Sequence, residues 1–145
     1  MLKGLDPLLT PDLLRTLRAM GHGDEIAIVD GNYPAESAGP PVIRLDGIST
    51  TAALNAVLSV MPLDSFVPAA AWCMEVVGQP DAEQPIFGEF RGALRKYEGE
   101  RFQLAKLERF AFYERAGLCF SVVATGERRL YGNIILKKGV IGSAE

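Results

Sequence analysis

Four consecutive apolar residues, Ile26-Ala-Ile-Val29, stand between Glu25 and Asp30 and are closed by Gly31. A strand with no polar side must be covered on both faces, which favours a layered α/β domain over a sheet with one wet face. The flanking pattern agrees. Thr10 is a good N-cap, Pro11 suits the first helical position, and Leu13, Leu14, Leu17 and Met20 recur at helical spacing up to Gly21. Val42–Leu45, Ala69–Val77, Leu118–Ala124 and Asn133–Lys137 read as further strands. Thr50–Met61 and Pro85–Tyr97 read as helices. The stretch Lys106–Phe110 reads as a short strand running into a helical turn over Phe112–Ala116. Helices alternating with apolar strands predict one layered domain over residues 1–145, with a largely parallel sheet flanked by helices.

Charge and composition remove several functions. With 15 Lys+Arg against 18 Asp+Glu, the formal charge is -3, and no basic cluster is present to neutralise phosphates, so nucleic acid is not an expected partner. The most apolar stretch, Phe66–Val77, contains Pro68 and Glu75 and is too short to span a membrane. Asp6, Pro7, Pro11 and Asp12 interrupt any secretory leader. Cys73 and Cys119 lie in apolar stretches and cannot make a disulfide scaffold, so a reducing, cytoplasmic setting is expected. One histidine and two cysteines are too few for a His/Cys zinc site, and no phosphate-loop or dinucleotide motif occurs. The expectation is therefore no metal and no cofactor.

In open α/β sheets, sites form in the loops beyond the carboxyl ends of strands. Four polar clusters are candidates. His22 lies in Gly21-His-Gly-Asp24 and either titrates as a general acid or base or caps the preceding helix. Asp30 ends an apolar strand, where it can orient His22, accept a hydroxyl or form an Asx-turn. Arg109 and Tyr113 share one face if a helix runs there, while Arg115 reads as part of a surface ion-pair set with Glu108 and Glu114. Tyr131-Gly132-Asn133 precedes a strand and either binds a ligand or makes a local turn.

Four motifs in order carry a resemblance over nearly the whole chain. They are Met20-Gly-His-Gly-Asp-Glu25 with Asp30, then Tyr33-Pro34 and Gly39-Pro40 leading into Val42-Ile-Arg44. Arg109-Phe-Ala-Phe-Tyr-Glu-Arg115 with Thr125-Gly-Glu127 follows, and Tyr131-Gly-Asn-Ile-Ile-Leu-Lys-Lys-Gly139 closes the chain. On these the chain resembles the ribose pyranase / fucose mutarotase family, and its fucose branch in particular. The resemblance implies a ribose-pyranase-like fold and a cofactor-free isomerase that interconverts α and β anomers of a monosaccharide. It implies an acid/base role for His22, and sugar binding by Asp30, Arg109, Tyr113, Tyr131, Gly132 and Asn133. It also implies a ring-shaped homo-oligomer, often a decamer, with a pocket completed by a neighbouring subunit. On that view the Tyr131-Gly-Asn133 group reaches across an interface. Independently, an acidic 145-residue domain with aromatics such as Phe87 and Phe90, read as exposed, is expected to bury them between subunits. L-fucose is the first candidate sugar. Gly31 stands where the fucose branch commonly has alanine, and Glu36 holds a variable position, so another 6-deoxy or pentose sugar is second. The alternatives are a ribose pyranase and a non-catalytic sugar sensor.

Overall fold

The computed structural model describes residues 1–143. Helix α1 (Pro11–Ala19) leads into strand β1 (Glu25–Val29) and, after a turn-rich loop, β2 (Val42–Leu45). Helix α2 (Thr50–Leu58), β3 (Ala71–Met74), α3 (Pro85–Glu98), β4 (Ala105–Leu107), α4 (Arg109–Gly117), β5 (Ser121–Thr125) and β6 (Ile134–Lys137) follow. The helix starts have local causes. Thr10 accepts from Leu13 N–H, Ser49 accepts from Ala52 N–H, and Glu108 accepts from Phe110 and Ala111 N–H. The Glu108 cap is why α4 begins at Arg109 rather than at Phe112.

The six strands lie in the order β2-β5-β1-β6-β3-β4. Strand β6 runs antiparallel to both β1 and β3, while the other pairs are parallel. The sheet is thus largely parallel with one reversed strand. Its cause is the link from β5: Gly126–Asn133 carries no helix and is too short for a parallel crossover. This link passes over the carboxyl end of β1, where Gly31 N–H donates to the Glu127 carbonyl at 2.9 Å.

Alternation along β1 divides the core. Ile26 and Ile28 face Leu13, Leu54, Val57, Phe87 and Phe90 from the layer of α1, α2 and α3. Ala27 and Val29 face Phe112 and Ala116 of α4, together with Trp72 and Ile135. Phe87 and Phe90 are therefore not interface aromatics, because both are 0% exposed beneath α3. Arg115 also differs from its expected surface pairing. It makes a bidentate pair with Glu25 at 2.7 and 2.8 Å and stacks on Trp72 at 3.6 Å. Both cysteines are free and buried. Among the described residues no helix is long and apolar enough to cross a membrane.

Candidate functional site

The carboxyl end of β1 places Asp30 at the floor of a pocket of about 220 Å³. Asp30 is 6% exposed, and its position is over-determined. One carboxylate oxygen accepts from Asn32 N–H at 3.0 Å and the other from Gly132 N–H at 3.2 Å. Its own N–H donates to Asn133 Oδ1 at 2.8 Å. Burial pushes the Asp30 carboxyl above its ordinary range, while these N–H donors pull the other way. An ionised carboxylate held between donors still has lone pairs for a ligand hydroxyl.

The walls come from three other segments. Arg109 and Tyr113 lie one turn apart on α4, with the guanidinium 5.6 Å from the Tyr113 ring centre. Tyr33 packs edge-on to Tyr113 at 5.4 Å, and its burial raises its hydroxyl pKa. Tyr131 sits at φ +61°, a conformation uncommon for a residue with a side chain. Its hydroxyl accepts from Val77 N–H at 3.1 Å, leaving the O–H proton available to a ligand. Met74 and Leu130 add apolar surface to the same pocket. Few polar groups converging on an apolar wall are what a small polar ligand needs.

Asp30, Arg109, Tyr113, Tyr131 and Asn133 are thus brought together, with Gly132 fastening Asp30 from behind. The Tyr131-Gly-Asn133 group lies in the same pocket as the Asp30 of its own chain and does not have to cross an interface to reach it. Asn133 bonds Asp30, far away in sequence, so the local-turn reading of that residue is replaced by a long-range one.

Sequence reading missed what supports this turn. Thr50 donates from Oγ1 to the Gly132 carbonyl at 2.8 Å, and Thr125 donates to the Val29 carbonyl at 2.7 Å. Glu127 is 5% exposed, accepts from Thr50 N–H at 3.3 Å, and is held ionised below its ordinary pKa by Arg129. Arg129 also pairs with Glu89 of α3. Nothing local in Thr125-Gly-Glu127 announces partners at Thr50 or Val29.

His22 is elsewhere. It precedes β1, whereas Asp30 follows it, and a five-residue strand at ~3.3 Å per residue separates them by roughly 17 Å. Asp30 therefore does not orient His22 within one chain. The ring instead pairs through Nε2 with Asp64 Oδ1 at 3.1 Å and meets the Phe66 ring edge-on at 5.7 Å. The His22 side chain is 46% exposed. No sequence signal linked it to Asp64, because the two come from different loops joined only by the fold.

A larger cavity of about 560 Å³ opens at the His22 end, lined by Gly23, Glu25, Arg115, Leu118 and Phe120. Its one cation, Arg115, is already committed to Glu25, and the other charged lining residues, Asp24 and Glu114, are carboxylates. The smaller pocket, with polar atoms aimed into it, is the better candidate.

Comparison with known proteins bears on this geometry. Residues 3–141 match the model of the RbsD / FucU transport protein family. The human protein "Fucose mutarotase" is 49% identical over 146 aligned positions, covering 97% of this chain and 94% of the human one. The crystal structure of a Streptococcus pneumoniae fucose mutarotase in complex with L-fucose superposes with a TM-score of 0.91 at 42% identity, covering 97% of this chain and all (100%) of that one. The structure of Bacillus subtilis RbsD with D-ribose superposes with a TM-score of 0.71 at 20% identity, covering 98% of this chain and 100% of that one, and shares the fold alone.

Proposed function

This chain belongs to the RbsD / FucU family, and on that premise we propose that it is a sugar mutarotase that interconverts the α and β anomers of L-fucose. The observation that carries the proposal is the similarity, over nearly the full length, to a fucose mutarotase solved with L-fucose, joined to the hydroxyl-binding cluster around Asp30.

Anomer exchange opens the sugar ring, turns the aldehyde and closes the ring on the other face. The C1–O5 bond breaks, O5 takes a proton, and the anomeric hydroxyl loses one as C1=O forms. The protein's part is to hold the hydroxyls and move these two protons. Asp30 accepts from sugar hydroxyls, Arg109 and the Tyr131 hydroxyl donate to sugar oxygens, and Asn133 keeps Asp30 in place. Tyr113 lines the pocket beside Arg109. His22 moves one proton and water moves the other. General acid–base help of ~10²–10⁴-fold suits a reaction that already runs slowly in water.

His22 and Asp30 lie at opposite ends of β1, so His22 acts in the pocket of a neighbouring copy. A head-to-tail contact of this kind makes a ring when its rotation closes, and a ring is the assembly proposed here. Exposed apolar side chains support it at both ends. Phe66 and Leu118 are 73% and 83% exposed near His22, and Phe110 and Leu130 are 67% and 66% exposed near the pocket. Two buried free thiols suit a reducing cytoplasm.

NMR saturation transfer between the anomeric protons of L-fucose tests the function, with D-ribose run beside it. Faster exchange with L-fucose is expected. Acceleration with ribose alone would make the protein a pyranase, and sugar binding without acceleration would make it a sensor.

A further inference from the structure

We propose that Asp64 is the positioning residue of His22, holding the ring proton on Nε2 so that Nδ1 is the atom that exchanges protons with the sugar. This rests on the mutarotase reading for its chemistry, but the state of the ring can be measured without it.

The pair is built on a rigid frame. Asp64 N–H donates to the Lys137 carbonyl at 3.0 Å, and Gly23 N–H, next to His22, donates to the Lys138 carbonyl at 2.9 Å. Two adjacent residues at the end of β6 therefore pin both partners. The Lys138 ammonium caps the last carbonyls of α1, at Leu17 and Met20, and fixes where the His22 turn begins. On the other side, Asp64 Oδ1 accepts from Phe66 N–H at 3.0 Å, which sets the carboxylate and brings the Phe66 ring against the imidazole. The Asp64 side chain is only 4% exposed, while the His22 side chain is 46% exposed.

Fold stability does not require this arrangement. The His22 end of the pair is nearly half exposed, which weakens its contribution, and the buried Asp64 is already anchored through its own N–H and the Phe66 N–H. Its effect on the ring is larger. The Phe66 N–H, and behind it His22, hold the Asp64 carboxyl below its ordinary pKa against burial. An ionised carboxylate only accepts hydrogen bonds, so in the neutral ring Nε2 carries the proton. Nδ1 then holds the free lone pair, and no partner for it occurs among the described residues. Protonation during the reaction adds a proton at Nδ1, and the Asp64 charge stabilises the resulting imidazolium. In the opening step the protonated ring gives the Nδ1 proton to O5 as C1–O5 breaks. Water takes the proton of the anomeric hydroxyl, and closure runs both transfers backwards.

His22 is the chain's single histidine, so a long-range ¹H–¹⁵N spectrum of labelled protein contains one imidazole. At a pH where the ring is neutral, the expected spectrum shows protonation at Nε2 alone. Asp64→Ala should give a mixture of both tautomers. Asp64→Asn keeps an oxygen that can accept from both Phe66 N–H and His22, so fold and tautomer should persist. Loss of the charge should nonetheless lower kcat about tenfold, within the range of acid–base help, with KM unchanged. A wild-type ring protonated at Nδ1 would overturn the proposal, as would Asp64→Ala leaving tautomer and kcat as they were. If wild type does not accelerate fucose exchange, the function is wrong, and the tautomer pattern alone decides whether Asp64 positions the ring.

Discussion

Replacing His22 by glutamine is expected to remove the catalysed exchange, a loss of roughly 10²–10⁴-fold, while leaving fold and sugar affinity close to wild type. Glutamine can still donate to Asp64, and the His22 side chain is 46% exposed, so the change costs the core nothing. It cannot titrate near neutrality, so it neither gives nor takes the ring-oxygen proton. In the proposed site the sugar's hydroxyls are held by Asp30, Arg109 and Tyr131, which line a pocket the substitution does not touch. Saturation transfer should return to the rate of free sugar, while sugar titration still shows binding. Wild-type exchange in a folded His22→Gln protein would show that the ring is structural.

Replacing Gly126 by alanine is expected to have the largest effect on stability. A Cβ there would lie 1.9 Å from the Asp46 carbonyl oxygen and 2.8 Å from its carbon. Both are backbone atoms, so no side chain can yield. Gly126 N–H also donates to the Ile48 carbonyl at 2.8 Å, which prevents the chain from simply swinging out. Relief requires moving the end of β5 or the turn before α2. Either movement disturbs Glu127 and Thr50, which hold the Gly132 turn. A cost of about 3 kcal/mol is in line with forced overpacking. That corresponds to a fall in Tm on the order of 10 °C. Thermal unfolding followed by circular dichroism checks it, and a Tm within about 2 °C of wild type would contradict the close packing described at this residue.

What could be read from the sequence was whatever had a local cause. The buried strand Ile26–Val29 declared itself by four apolar residues in a row, and α1 by Thr10 and Pro11. Asp30, Arg109, Tyr113, Tyr131 and Asn133 stood out because each is a polar residue next to an apolar element, and they do meet in one pocket. The remainder depended on pairing between distant segments. The reversal of β6 follows from a short link and from its place between β1 and β3, and the second of these is not written in the strand itself. Phe87 and Phe90 show helical spacing, which tells that a face is apolar but not whether its cover is this chain or another. Arg115 found Glu25 rather than its neighbours Glu108 and Glu114, because the end of α4 packs beside the start of β1. Asp64 and the Thr50–Glu127–Arg129 support were invisible for the same reason.

In the proposed assembly one working site needs the His22 end of one copy and the Asp30 end of another. Mixed oligomers of two inactive variants test it most directly. His22→Gln copies keep a sound pocket, and Asp30→Asn copies keep a sound histidine. When both are produced together in equal amounts, random neighbours in a ring should restore about a quarter of the wild-type sites. Exchange of L-fucose at about that fraction of the wild-type rate is the expected result. A rate no higher than that of either variant alone, in oligomers shown to contain both chains, would contradict the shared site.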